Sequence, residues 1–196
     1  MSFSWSVGRT GAKPTPQLPI AAVADLGVQL CAAVSALEEH ELVHRDIKPS
    51  NIVLKREADG RVIVKLIDLG ISRDASQEGR VETLTAANTI VGTPQYMAPE
   101  QIEAGQLDHR TDLYAIGAVL FESLAGCPPF GGKTPHAVLA RALAGEREDL
   151  ETARPGLPAS LSRVIDRALS FDPGDRFPDA ASMSKALARA AEEAEL

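Results

Sequence analysis

With 196 residues, 44% of them apolar and 24% charged, the chain has the length and composition of one globular domain with its own core. Its net charge, 20 − 27 = −7, argues against nucleic acid or an anionic membrane surface as the main partner. No apolar run approaches the ~20 residues of a membrane-spanning helix, Met1–Pro19 lacks a secretory pattern, and Cys31 and Cys127 read as reduced thiols of a cytoplasmic protein.

Residues 1–17 mix Ser, Gly, Thr, Pro and Lys without period and read as a flexible tail. From Ile20 to about His40, Val23, Leu26, Leu30, Val34 and Leu37 recur at three- and four-residue steps, the mark of an amphipathic helix. Asn51 to Lys55 and Arg61 to Ile67 are β-branched runs around Asp59-Gly60, which predicts a hairpin. Two strands alone are marginal, so the hairpin must rest on helices. Residues 71–90 are polar, Ser/Thr-rich and aperiodic, a loop long enough to be functional. Thr111 to Leu124 predicts a helix buried on most sides. Thr134-Pro135 opens a helix to about Ala144, Ser160 can cap one to about Ser170, and Asp179 can cap the last. The fold class is mainly α with a small β-hairpin.

The stretch from Leu42 to Leu54 carries the chemistry. Asp46, Lys48 and Asn51 put a carboxylate, an ammonium and a carboxamide within six residues, between a helix and a strand. Such a set is poor core material and suits a place where a hydroxyl is aligned, a phosphate held and a metal bound. His44-Arg45-Asp46-Ile47-Lys48-Pro49-Ser50-Asn51 resembles the catalytic loop of protein kinases of the Ser/Thr type. Asp68-Leu69-Gly70, Gly92-Thr93-Pro94, Ala98-Pro99-Glu100, Asp112 and Arg176 follow in that family's order, so the resemblance runs from about Leu18 to Ala190.

The resemblance implies a kinase large (C-terminal) lobe over residues 18–196, with ATP and Mg²⁺ as cofactors and Ser/Thr hydroxyls of proteins as acceptors. Asp46 would accept the acceptor hydroxyl's proton, Lys48 would meet the transferred phosphate, and Asn51 and Asp68 would hold the metal. Thr93 would bridge Asp46 and Lys48, and together with Lys48 it argues against a tyrosine-specific enzyme. Val53 would lie under the adenine. His44 is implied as part of an apolar column with Leu69 rather than as chemistry, Leu69 replacing the family's usual Phe. Arg45 would pair with a phosphate on the loop, with Thr83, Thr85 and Thr89 as the available hydroxyls. Glu100 with Arg176 would form a buried ion pair, and Asp112 would accept amides of the catalytic loop.

The family's smaller lobe is not in this sequence. No Gly-rich loop and no strand lysine of the Val-Ala-Ile-Lys type precede His44, and Lys13 is the sole lysine there. Three readings stay open: a piece of a working Ser/Thr kinase, a half-kinase serving as a binding or regulatory module on another kinase chain, or a chain whose missing small lobe comes from a partner. In all three the partners are proteins, with no nucleic acid and no membrane segment in this chain.

Overall fold

The computed structural model describes residues 16–69 and 93–194. The expected tail lies outside them up to residue 15, as do the expected loop over 71–90 and Thr83, Thr85 and Thr89. Gln17 already ties the chain to the body, its amide donating to the carbonyls of Ala125 (3.2 Å) and Ala153 (3.3 Å).

The elements run α1 (Ile20–Glu38), β1 (Ile52–Arg56), β2 (Val62–Leu66), α2 (Pro99–Ile102), α3 (His109–Ala125), α4 (Pro135–Ala144), α5 (Leu150–Ala153), α6 (Ala159–Ala168) and α7 (Ala180–Ala194). The periodic helices and the hairpin stand where the sequence pattern predicts them. Helices α2 and α5, four residues each, are too short to show a period. The expected cap at Ser160 is corrected: α6 starts two residues earlier, after Pro158, with no side-chain cap. Thr134 and Asp179 do cap, accepting from the amides of Ala137 (3.2 Å) and Ser182 (2.6 Å).

Helix α3 is the axis of the core. Every residue from Thr111 to Leu124 is buried, because α1, α6 and α7 all pack around it. Two glycines allow the close approach. A Cβ on Gly27 would stand 2.7 Å from Leu187 and 2.9 Å from Leu120, and one on Gly117 would stand 2.9 Å from Ala168. Cys31 is buried in this core and Cys127 half-buried, both free thiols.

The expectation that no apolar run approaches the length of a membrane span is corrected at α1. By length and composition the helix is long and apolar enough to cross a bilayer. Its Val23, Leu26, Leu30 and Val34 are instead buried in the protein core, against α3 and α7, and the same apolarity serves that packing.

The antiparallel hairpin pairs Ile52 with Leu66 and Arg56 with Val62. Its support comes from α1. The Gln29 side chain accepts from the Val64 amide (2.9 Å) and donates to the Val62 carbonyl (3.0 Å), so one glutamine satisfies part of the free edge of β2. The two strands thus bridge α1 to the segment that follows it in sequence.

Candidate active site

The segment between α1 and β1 is a loop whose shape is set by side chains from elsewhere. Arg45 adopts a left-handed conformation (φ 67°), unusual for a residue with a Cβ. Asp112, in the first turn of α3, holds the turn by accepting from the amides of His44 (2.7 Å) and Arg45 (2.8 Å). Asp112 is almost fully buried. Burial pushes its carboxyl up to about 6, against the lowering effect of those two amides and the Arg45 charge.

Past this turn the polar side chains converge. Lys48 Nζ lies 2.7 Å from Asp46 Oδ2. The Asn51 amide nitrogen donates to the Asp46 carbonyl (2.8 Å) and to Asp46 Oδ2 (3.1 Å). The short 3₁₀ turn Pro49–Asn51 makes this possible by folding Asn51 back under Asp46. Asp46 and Lys48 are 24% and 19% exposed, so the pair is fixed yet open to a bound molecule on one side. Ile47, between them, points inward and is buried. Anchoring one residue of an alternating pair in the core turns its neighbours outward.

The hairpin delivers two further residues. The Ile67 amide donates to the Asn51 carbonyl (2.9 Å), extending the ladder by one step, so Asp68 begins one residue past the position opposite Asn51. Asp68 itself takes a left-handed conformation (φ 56°) and is exposed. Val53, two residues after Asn51, is also exposed. By register Val53 and Ile67 stand on the same face as Asn51.

Thr93 borders a small, shallow cleft together with Arg45, Asp46, Lys48, Met97 and Gln101. Among the described residues no hydrogen bond joins Thr93 to Asp46 or Lys48. It shares the cleft lining with the pair without being bonded to it.

His44 is fully buried. Its Nε2 faces the Ile67 carbonyl at 3.3 Å and its Nδ1 accepts from the Asp46 amide at 3.4 Å. These partners call for the neutral ring with the proton on Nε2. Burial drives its pKa below the ordinary histidine value, which agrees with that assignment. The imidazole links the loop to the hairpin through these two bonds. Leu69 is 42% exposed.

Glu100 and Arg176 meet through two parallel bonds of 2.7 and 2.8 Å. Arg176 also donates to the carbonyls of Ser170, Phe171 and Arg110 and lies over the Tyr114 ring. This pair locks α2, which follows the Thr93–Met97 segment in sequence, to the turn before α7.

Two contributors give little sign in the sequence. The buried Tyr96 hydroxyl donates to Glu122 of α3. Gln101 accepts from the Ala98 amide (3.0 Å) and donates to the Arg45 carbonyl (2.9 Å). A glutamine three residues after the helix boundary is a capping signature, but its reach to Arg45, 56 residues away, has no local signal.

Among the described residues, a helix-rich architecture with one hairpin, and an acid, a cation and an amide on a clamped loop, have the fold class of a protein-kinase-like large lobe. A sequence profile of the protein kinase domain matches residues 13–188, and the chain belongs to that family. It is 35% identical over 175 residues to the serine/threonine-protein kinase PknB of Mycobacterium tuberculosis, covering 89% of this chain and 26% of that protein. It is 38% identical over 171 residues to Pkn1 of Myxococcus xanthus, covering 86% and 24%. The crystal structure of the PknI kinase domain of Mycobacterium tuberculosis superimposes with a TM-score of 0.64 at 27% identity, covering 90% of this chain and 57% of that one. The chain thus spans about a quarter of the length of these curated relatives.

Proposed function

We propose that the chain supplies the hydroxyl-aligning and metal-holding side of a protein Ser/Thr kinase site, transferring the ATP γ-phosphate to Ser/Thr hydroxyls of proteins. The observation that carries this is the Asp46–Lys48–Asn51 constellation, bonded at 2.7 and 3.1 Å to a single carboxylate oxygen. Phosphoryl transfer asks a protein mainly for positioning and for charge placed where charge develops. Asp46 accepts a hydrogen bond from the acceptor hydroxyl and takes its proton late in the transfer. Lys48 places a cation beside both that carboxylate and the moving phosphate. Thr93, in the same cleft, is suited to order the pair once a substrate is bound.

The donor set also fits a magnesium ion. The Asn51 amide is oriented by its two bonds from Nδ2, which leaves Oδ1 as the end facing away from Asp46. Asp68 offers an exposed carboxylate next to it in register. Two protein oxygens, completed by phosphate and water, are what magnesium usually takes from a protein. When bound, the ion neutralises charge shared between the phosphates. Val53 offers an apolar surface for the base on the same strand.

Transfer of labelled phosphate from Mg-ATP to a serine- and threonine-containing peptide library tests this. Transfer should vanish in Asp46→Asn; transfer that survives that change would remove Asp46 from the role given to it. A second reading, a half-kinase that binds or regulates another chain, is favoured by the exposed Val53, Ile67 and Leu69. It predicts no transfer by the parent protein.

A further inference from the structure

Gln101 connects two parts of the site that share no backbone hydrogen bond among the described residues. Its Oε1 takes the Ala98 amide, ending the Thr93–Ala98 segment, and its Nε2 gives a hydrogen bond to the Arg45 carbonyl. That carbonyl belongs to the same peptide unit as the Asp46 amide. Arg45 has φ 67°, a costly conformation for a residue with a Cβ that persists where its surroundings hold it. Asp112 holds the peptide before it through the Arg45 amide (2.8 Å). Gln101 holds the peptide after it at its carbonyl, while the Asp46 amide of that peptide donates to His44 Nδ1 at 3.4 Å. The two clamps come from different helices, α3 and α2.

From this we infer that Gln101 is a positioning residue, which fixes the peptide carrying Asp46 and ties it to the segment bearing Thr93. Gln101 and Arg45 both border the cleft that Asp46, Lys48 and Thr93 share. A simpler role is available, because a side chain at the third position of a helix commonly accepts from the boundary amide and does nothing else. That role uses only Oε1. The bond from Nε2, across 56 residues, is what the positioning role adds. The catalytic meaning of the bridge rests on the reading of Asp46 given above; the bridge itself does not.

The chemistry of the side chain separates the two roles. The carboxylate of a Gln101→Glu variant retains an acceptor for Ala98 but turns an oxygen toward the Arg45 carbonyl, so the cap survives and the bridge is lost. Gln101→Leu removes both. The measurement is the Arg45 carbonyl-carbon shift and the Asp46 amide exchange rate by NMR, with the Ala98 amide as the internal control. In Gln101→Glu we expect the Arg45 carbonyl signal to move, Asp46 exchange to rise roughly three- to tenfold, and Ala98 to stay near its parent value. In Gln101→Leu all three should change. An Arg45–Asp46 peptide that is unmoved in Gln101→Glu would overturn the inference and leave Gln101 a cap. These signals are read without turnover. A parent protein that transfers no phosphate would therefore sink the proposed reaction while the bridge is still decided.

Discussion

Removing the charge of Glu100 tests how α2 is held to the turn before α7. The Arg176 side chain is fully buried and Glu100 nearly so, and Thr111 adds a third bond to the carboxylate at 2.8 Å. Glu100→Gln retains one oxygen for Arg176 but strands a guanidinium charge in the interior. Taking away one partner of a buried pair costs about 3–5 kcal/mol. The three carbonyls around Arg176 and the remaining amide oxygen place this case near the lower end. At roughly 2–4 °C per kcal/mol for a protein of this length, about 3 kcal/mol lowers Tm by about 6–12 °C in scanning calorimetry at pH 7. The pH dependence is equally specific. Burial raises the Glu100 carboxyl, but the hydrogen bonds and charge of Arg176 outweigh it and hold it below the ordinary carboxylate range. Its contribution is therefore present above the unfolded carboxyl value, about 4.3, and is lost as pH falls through the lower folded value. The gap between parent and variant should narrow on acidification. A Tm loss under about 2 °C at pH 7, or a gap that stays constant into acid, would refute the reasoning. A Glu100→Met, Arg176→Met double variant should regain part of the loss, since no charge is left unpaired.

The Asp112 clamp should itself titrate. With its carboxyl at about 6, the native state binds more protons than the unfolded chain between the ordinary aspartate value of 3.8 and about 6, so this group's share of stability falls as pH rises through that window. The amide signals of His44 and Arg45 should shift with a midpoint near 6 and become flat in Asp112→Asn; a flat response in the parent contradicts the assignment. Calorimetric titration of this chain with Mg-ATP should give binding weaker than micromolar, because Val53 and Ile67, on the face offered to the base, stand exposed. Micromolar affinity that disappears in Asp68→Ala would show that the residues present suffice.

Much of the site was legible because its residues are close in sequence. Asp46, Lys48 and Asn51 lie within six positions, and a 3₁₀ turn started by Pro49 suffices to fold them together. The hairpin was legible for the same reason, an Asp-Gly turn between two β-branched runs. Local order writes itself in local pattern. Glu100 and Arg176, 76 residues apart, could be paired beforehand only through the resemblance to kinases, since nothing in either segment names the other.

What the sequence determined by itself was the set of periodic helices, the hairpin, the Thr134 and Asp179 caps and the chemistry of residues 46–51. The tertiary structure decided three other things. It put the apolar helix α1 into a core between α3 and α7, which length and apolarity could not distinguish from a membrane span. It gave Gln29 the edge of β2 and Gln101 the carbonyl of Arg45, uses of glutamine that leave no period. And it set the left-handed turn at Arg45 by bonds from Asp112, 67 residues away. The reason is common to all three. A side-chain amide or carboxylate bonds whichever backbone group the packing brings within about 3 Å, and packing is settled by the whole core rather than by the neighbours in sequence.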